Sequence, residues 1–207
     1  MLRLRHLKSQ QANRRLLSSL DEQVAKSFGQ YPFLERLGLS ASSSNQGVWT
    51  GKKWQGSGEE GYSYSPATGE AIAKVTYGTE ADYEDCLESM VEAQEEWAMT
   101  PPPKRGDIVR QIGLKLRDNL TDFGALVSLE MGKIKSEGVG EVVEYIDMTD
   151  LAAGMSRQLP GQVLTSERFE HTMLETWNPL GKIGIITAFN FPCAVHGWNS
   201  CVSMIAG

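Results

Sequence analysis

Residues 184–192, Gly-Ile-Ile-Thr-Ala-Phe-Asn-Phe-Pro, narrow the possible folds of this chain further than any other stretch. The apolar run that begins at Lys182 has the length and β-branched content of a buried strand. It delivers one amide side chain, Asn190, just before Pro192, which interrupts regular structure. From Ala194 onward the pattern is helical. Strand, sharp break and helix in that order suit the start of a βα unit in a nucleotide-binding sheet, where ligands gather at the carboxyl ends of strands. The expected strand is Lys182–Ala188, with Asn190 at the sheet's rim and facing a crevice.

Upstream the period changes along the chain. Residues 40–47, rich in serine, read as a loop, because small polar side chains bury too little surface to order themselves. A short helix is expected near Tyr31–Leu37 before it. Between Val48 and Val75 aromatic and β-branched residues suggest short strands, two of them joined by a turn at Pro66-Ala67-Thr68-Gly69. Thr79 with Asp82 resembles a capping box. Tyr83, Leu87, Met90, Val91 and Trp97 then make one apolar stripe on a helix. The many acids between them read as a solvated face rather than a metal site, since no His or Cys is aligned with them. Pro101-Pro102-Pro103 opens a second helix, with Ile108, Ile112, Leu116 and Leu120 at every fourth position and Val109 beside them. Further helices are expected near Asp122–Met131, ending at Gly132, and near Glu137–Arg157, with Val139, Val142, Val143 and Ile146 inward. Together these helices should cover one layer of a sheet. Residues 162–177 read as a hairpin with Thr165–Arg168 near its bend.

The totals exclude several classes. A length of 207 residues, 41% hydrophobic and 22% charged, describes a soluble globular chain with one real core. A net charge of −6 argues against a nucleic-acid partner. No apolar run approaches the roughly 18 residues of a membrane span. Cys86, Cys193 and Cys201 form no CxxC pair, so neither zinc nor a disulfide framework is expected. The first 19 residues differ from the rest: Arg3, Arg5, Lys8, Arg14 and Arg15 alternate with leucines and serines, and no acid precedes Asp21. That composition fits a mitochondrial transit peptide, the alternative being a disordered basic leader. The corresponding locations are the mitochondrial matrix or the cytoplasm.

Asn190 has no useful pKa, but its amide can donate to an oxygen that gains negative charge, worth ~3 kcal/mol or more in acyl transfer. The alternative is an asparagine that caps the next helix or tolerates a turn. Cys193 and Cys201 lie close by, but only His196 could lower a thiol pKa there, so neither is expected to be a nucleophile. His196 and His171 read as packed or surface histidines. Gly132, Gly138 and Gly140 follow no strand and make no phosphate loop.

Asn178-Pro179-Leu180-Gly181, the 184–192 stretch and Leu129-Glu130-Met131-Gly132-Lys133 resemble, in order and spacing, the aldehyde dehydrogenase superfamily over roughly residues 30–207. Lys104–Gly113, Glu137-Gly138-Val139-Gly140-Glu141-Val142 and Thr187–Pro192 are most similar to its α-aminoadipic semialdehyde dehydrogenase, or antiquitin, subfamily. The resemblance implies an incomplete α/β fold: part of a Rossmann-like NAD-binding domain with a helical layer and a protruding β-hairpin. After the leader read from composition at 1–20, it implies the N-terminal part of the NAD-binding domain at 21–160, an oligomerisation hairpin at 161–179 and the start of a truncated βα unit at 180–207.

It also implies a chemistry. In the family a cysteine thiolate attacks an aldehyde, hydride passes to NAD, and water releases the acid. Asn190 would match the oxyanion-hole asparagine, and Thr187, Ala188 and Phe189 would line the nicotinamide side of the cofactor. Glu144 would hold the distal amino group of the substrate, with Phe191 and Trp198 as apolar walls. The alternatives are an exposed helix acid at Glu144 and core aromatics at Phe191 and Trp198. No metal is implied, and the complete protein would be a homo-oligomer, dimer or tetramer, acting in lysine catabolism. The chain reaches Gly207 before any match to the nucleophilic cysteine or general-base glutamate, so on its own it is expected to be inactive. A dehydrogenase of glutamic or succinic semialdehyde and a non-catalytic interaction fragment remain the alternatives.

Overall fold

The computed structural model describes residues 2–207, with side chains from Arg15 onward. The chain divides into two units. The first comprises residues up to Leu87 together with Asp122–Gly138, and the second Glu88–Thr121 with Val139–Gly207.

In the first unit, helix α1 (Leu2–Gln30) precedes the one-turn α2 (Phe33–Arg36). The spacing of Val24, Ser27 and Phe28 places them on one buried face, packed with Leu34 against Ala71, Ile72 and Ala73. Those alanines and Ile72 belong to β5 (Ala71–Thr76), the middle strand of a three-stranded sheet. On one side β5 pairs antiparallel with β4 (Glu60–Tyr64), and on the other parallel with β1 (Asn45–Gln46). The expected Pro-Ala-Thr-Gly turn joins β4 to β5. It is closed by the Gly69 N–H to the Ser65 carbonyl at 2.7 Å, with Gly69 at φ +71°. The serine-rich stretch is irregular up to β1, where Asn45 Nδ2 donates to the Lys74 carbonyl at 2.9 Å and draws two polar residues into the sheet. A separate hairpin pairs β2 (Val48–Trp49) with β3 (Trp54–Gln55), its two tryptophan rings 5.4 Å apart.

Helix α3 (Glu80–Met99) starts at the anticipated box: Asp82 Oδ2 accepts the Thr79 N–H at 2.9 Å, and the Asp82 N–H points back to Thr79 Oγ1 at 3.4 Å. Asp82 departs from the solvated face expected of these acids. It is buried, and it also accepts the Ser57 N–H at 2.9 Å, the Ser57 hydroxyl at 2.6 Å and Gln55 Nε2 at 3.0 Å. The apolar stripe expected to turn inward is largely uncovered, with Tyr83 60% and Val91 55% exposed.

Helices α4 (Pro102–Asp118), α5 (Leu120–Met131) and α6 (Lys135–Met155) fall where the periodicity places them, and α5 stops at Gly132, φ +69°. The core of the second unit is helix on helix rather than helices over a sheet. Val109 of α4, Met148 and Ala152 of α6, and Cys201 and Ile205 of α7 (Ala194–Ala206) form it. Close approach of α4 and α6 depends on glycine: a Cβ at Gly113 or Gly106 would run into Thr149 or Ser156. Arg105 of α4, only 3% exposed, donates to the carbonyls of Ile205 and Ala206 at the end of α7. It also donates to those of Trp97, Ala98 and Thr100 at the end of α3. One guanidinium thus satisfies carbonyls at two helix C-termini.

The hairpin expected at 162–177 consists of β6 (Val163–Thr165) and β7 (Thr172–Leu174), antiparallel with Val163 opposite Leu174 and exposed throughout. The strand expected at Lys182–Ala188 is not formed. These residues join none of the sheets among the described residues, and a strand is stable only where a neighbour takes up its backbone hydrogen bonds. Ile186 is 97% exposed. Among the described residues no helix is long and apolar enough to cross a membrane.

Candidate functional site

All the candidate site residues lie in the second unit, on α6, on α7 and on the segment that leads into α7. Ala188 to Phe191 make a four-residue turn, closed by the Phe191 N–H to the Ala188 carbonyl at 3.1 Å. Asn190 is its third residue and is exposed. It is therefore not at the rim of any sheet among the described residues, and its side chain is open to solvent. The turn alternative describes its local backbone, because the strand that would have carried it has no ladder. Thr187 is half-buried, Ala188 is exposed and Phe189 is 96% exposed. The small Ala188 side chain leaves the backbone approachable, so the segment can form one wall for a planar ring but encloses nothing by itself.

Two candidates do meet. Glu144, on the outer face of α6, accepts the indole N–H of Trp198 of α7 at 2.8 Å. Both side chains are exposed, as is Phe191, so the two aromatics are not core residues in this chain. A carboxylate has about four lone-pair sites, and the indole uses one. Glu144 thus keeps acceptor capacity for a cationic group, with apolar indole surface alongside.

Beneath this pair the structure shows a residue that the sequence had hidden. Glu141, one turn earlier on α6, is buried, and its Oε2 accepts the N–H groups of Cys193 and Ala194 at 3.2 and 3.3 Å. Tyr145, the next residue on α6 after Glu144, packs against α7. Its ring lies against Gly197, where a Cβ would collide with it, its hydroxyl is 3.4 Å from Ser200 Oγ, and it tilts against the His196 ring at 5.7 Å. A signal for Glu141 did exist, since positions 141 and 144 share a helix face. Residue type alone could not tell which acid is buried.

The two thiols near the turn are held in their protonated form by burial. Burial, and secondarily the Glu141 charge, push the Cys193 pKa up to about 11. Burial pushes that of Cys201 up to about 11 as well. Both remain protonated at neutral pH. Burial likewise raises the Tyr145 pKa. His171 lies in the hairpin bend, Nδ1 2.7 Å from the Phe169 carbonyl. Among the described residues no group of three or more His, Cys, Asp or Glu side chains is placed to hold a metal ion.

The model of the aldehyde dehydrogenase family matches residues 54–207. The chain belongs to that family. Aldehyde dehydrogenase family 7 member A1 of Brassica napus is 54% identical over 180 residues, covering 86% of this chain and 36% of that protein. The α-aminoadipic semialdehyde dehydrogenase of Bos taurus is 53% identical over 178 residues, covering 86% and 32%. A solved Sinorhizobium meliloti structure, assigned as a methylmalonate-semialdehyde dehydrogenase and complexed with NAD, superposes with a TM-score of 0.73 at 26% identity. It covers 80% of this chain and 34% of that one. The chain thus spans about a third of the length of the aldehyde dehydrogenases it matches. Its mixed helices and strands are the N-terminal part of their fold, incomplete in this chain.

Proposed function

We propose that the complete protein is an NAD-dependent aldehyde dehydrogenase that oxidises α-aminoadipic semialdehyde or a similar amino-aldehyde to the acid. In this reading the present chain supplies the oxyanion donor, one wall of the nicotinamide site and the recognition of the substrate's amino group. The observation that carries it is the Glu144–Trp198 pair: an exposed carboxylate, oriented by an indole N–H at 2.8 Å, in a chain 53% identical to an α-aminoadipic semialdehyde dehydrogenase.

The Asn190 amide donates a hydrogen bond to the carbonyl oxygen as it turns anionic, a donor worth ~3 kcal/mol once water is excluded. Asn190 is exposed in this chain, and in this reading the rest of its enclosure belongs to the complete protein. Thr187, Ala188 and Phe189 hold the nicotinamide edge of the cofactor. When bound, the nicotinamide supplies the hydride acceptor. Glu144 binds the substrate's ammonium group and Trp198 fixes the carboxylate's direction. Phe191 and the Trp198 ring cover the methylene chain. Cys193 and Cys201, both protonated, take no part, and the chain alone is inactive. A homo-oligomer in the matrix or the cytoplasm completes this reading.

The test is a chimera in which this chain replaces the matching region of the Bos taurus enzyme. NADH formation is followed with α-aminoadipic semialdehyde and with succinic semialdehyde. Glu144→Ala should lower kcat/KM for the amino-aldehyde roughly 10- to 100-fold, the value of a charge-assisted hydrogen bond, and leave the other substrate unchanged. Equal losses on both substrates would remove Glu144 from recognition, and a wild-type chimera that prefers succinic semialdehyde would replace the substrate. A second reading, a non-catalytic fragment that binds other chains, is favoured by the β6–β7 hairpin, whose strands are exposed and, among the described residues, pair only with each other. A chimera that oxidises no aldehyde would leave it standing.

A further inference from the structure

Helix α7 begins without a cap of its own. Its N-cap residue is Cys193, which makes no side-chain cap hydrogen bond, and Pro192 before it has no N–H to offer. The free N–H groups of the first turn are met instead by Glu141, from a helix 52 residues earlier in sequence. That carboxylate is 2% exposed. A carboxylate buried to this degree is costly unless hydrogen-bonded, and the N-terminal N–H groups of a helix, with its dipole, are the partners that offset the cost.

A local Ser or Asp at position 193 would have closed this helix end with no reference to any other element. A cap donated by α6 does something different, because it ties the point where α7 starts to the helix that carries Glu144. Along α7 the contacts with α6 come in order: Cys193 and Ala194 at Glu141, Gly197 at Tyr145, Trp198 at Glu144, Ser200 at Tyr145 again. Asn190 is separated from the Glu141-held backbone only by Phe191 and Pro192, and proline's fixed φ makes that link short and stiff.

We propose that Glu141 is the positioning residue for Asn190, its buried carboxylate setting the direction in which the Ala188–Phe191 turn presents the amide. This rests on the role given to Asn190 above. In this proposal Glu141 acts on Asn190 through the backbone of residues 193 and 194 and not by contact with aldehyde or cofactor. A displacement of about 1 Å in a catalytic group can cost on the order of 100-fold in rate, so loosening the cap should register in kcat before KM.

The experiment uses the chimera, with Glu141→Ala, Glu141→Gln and Asn190→Ala singly and in combination. Glu141→Ala should lower kcat about 10-fold or more with KM changed less than about 3-fold. Glu141→Gln, which keeps an acceptor oxygen for the two N–H groups, should recover most of that loss. In the Asn190→Ala background the Glu141→Ala loss should shrink to less than about 2-fold, because the group it positions is gone. An equal loss in both backgrounds, or an unchanged kcat, overturns the proposal. If Glu141→Ala does not fold, Glu141→Asp, whose carboxylate is retracted by one methylene, takes its place with the same two outcomes. Amide hydrogen exchange of the 207-residue chain is independent of turnover. Cys193 and Ala194 should exchange about 10-fold faster in Glu141→Ala than in the wild type. Unchanged exchange there refutes the cap itself, whereas a wild-type chimera without activity refutes the dehydrogenase reading and leaves the exchange result to judge the cap.

Discussion

Helix α7 and the segment that leads into it are both apolar, yet only the helix is buried. Cys201 and Ile205 are enclosed by α4 and α6, while Leu180, Ile186 and Phe189 stand in solvent. A helix satisfies its own backbone and needs neighbours only for one face. A strand needs neighbours for its backbone as well, and residues 182–188 have none in the sheets of the described residues. Apolar content therefore does not decide burial here. The origin of the hydrogen bonds does.

The contrast breaks most directly at Arg105. Arg105→Ala should destabilise the second unit by about 3 kcal/mol, since carbonyls at two helix ends lose their donor, and should lower the urea midpoint accordingly. Gly113→Ala comes next, at about 2 kcal/mol in the same titration, because the added methyl meets Thr149 across the α4–α6 contact. A third effect appears only with pH and belongs to the first unit. Hydrogen bonds from the Ser57 hydroxyl and the Thr79 backbone hold the Asp82 carboxyl well below its ordinary 3.8. On acidification the unfolded chain takes up its proton first, so this stabilisation is complete above that value and fades below about pH 4. Asp82→Asn should flatten the acid limb of the stability curve, and an unchanged limb would show that other carboxyls govern it. The smallest effect is expected at Ile186→Lys, within about 0.5 kcal/mol, as for an exposed site. A loss there as large as that of Arg105→Ala would erase the distinction between the two regions.

The same distinction explains what could be read from the residues alone. Helices α3 to α6 were legible because capping, proline and four-residue spacing are local signals, as at Thr79–Asp82, Pro101–Pro103 and Gly132. The Pro66–Gly69 turn was legible for the same reason. Long-range features were not. Asn45 and Gln46 look like loop residues and become β1 only because β5 lies alongside, and the α3 stripe predicts an inner face that is left largely uncovered at Tyr83 and Val91. In the site, Asn190, Glu144 and Trp198 could be named from motif resemblance, and the Glu144–Trp198 contact brings two of them together. Glu141 and Arg105 could not be named, because burial of a charge depends on which backbone groups a distant helix end leaves free.

The Arg105 clamp has a consequence for the order of events in synthesis. Its partners at Ile205 lie 100 residues downstream, so a chain growing from its N-terminus carries α4 with only the α3-end carbonyls within that guanidinium's reach until α7 has been made. The contacts that close the second unit are correspondingly distant in sequence, whereas Ser27 of α1 meets Ala71 of β5 across 44 residues. The first unit can therefore settle while the ribosome is still translating, and the second must wait for its last helix.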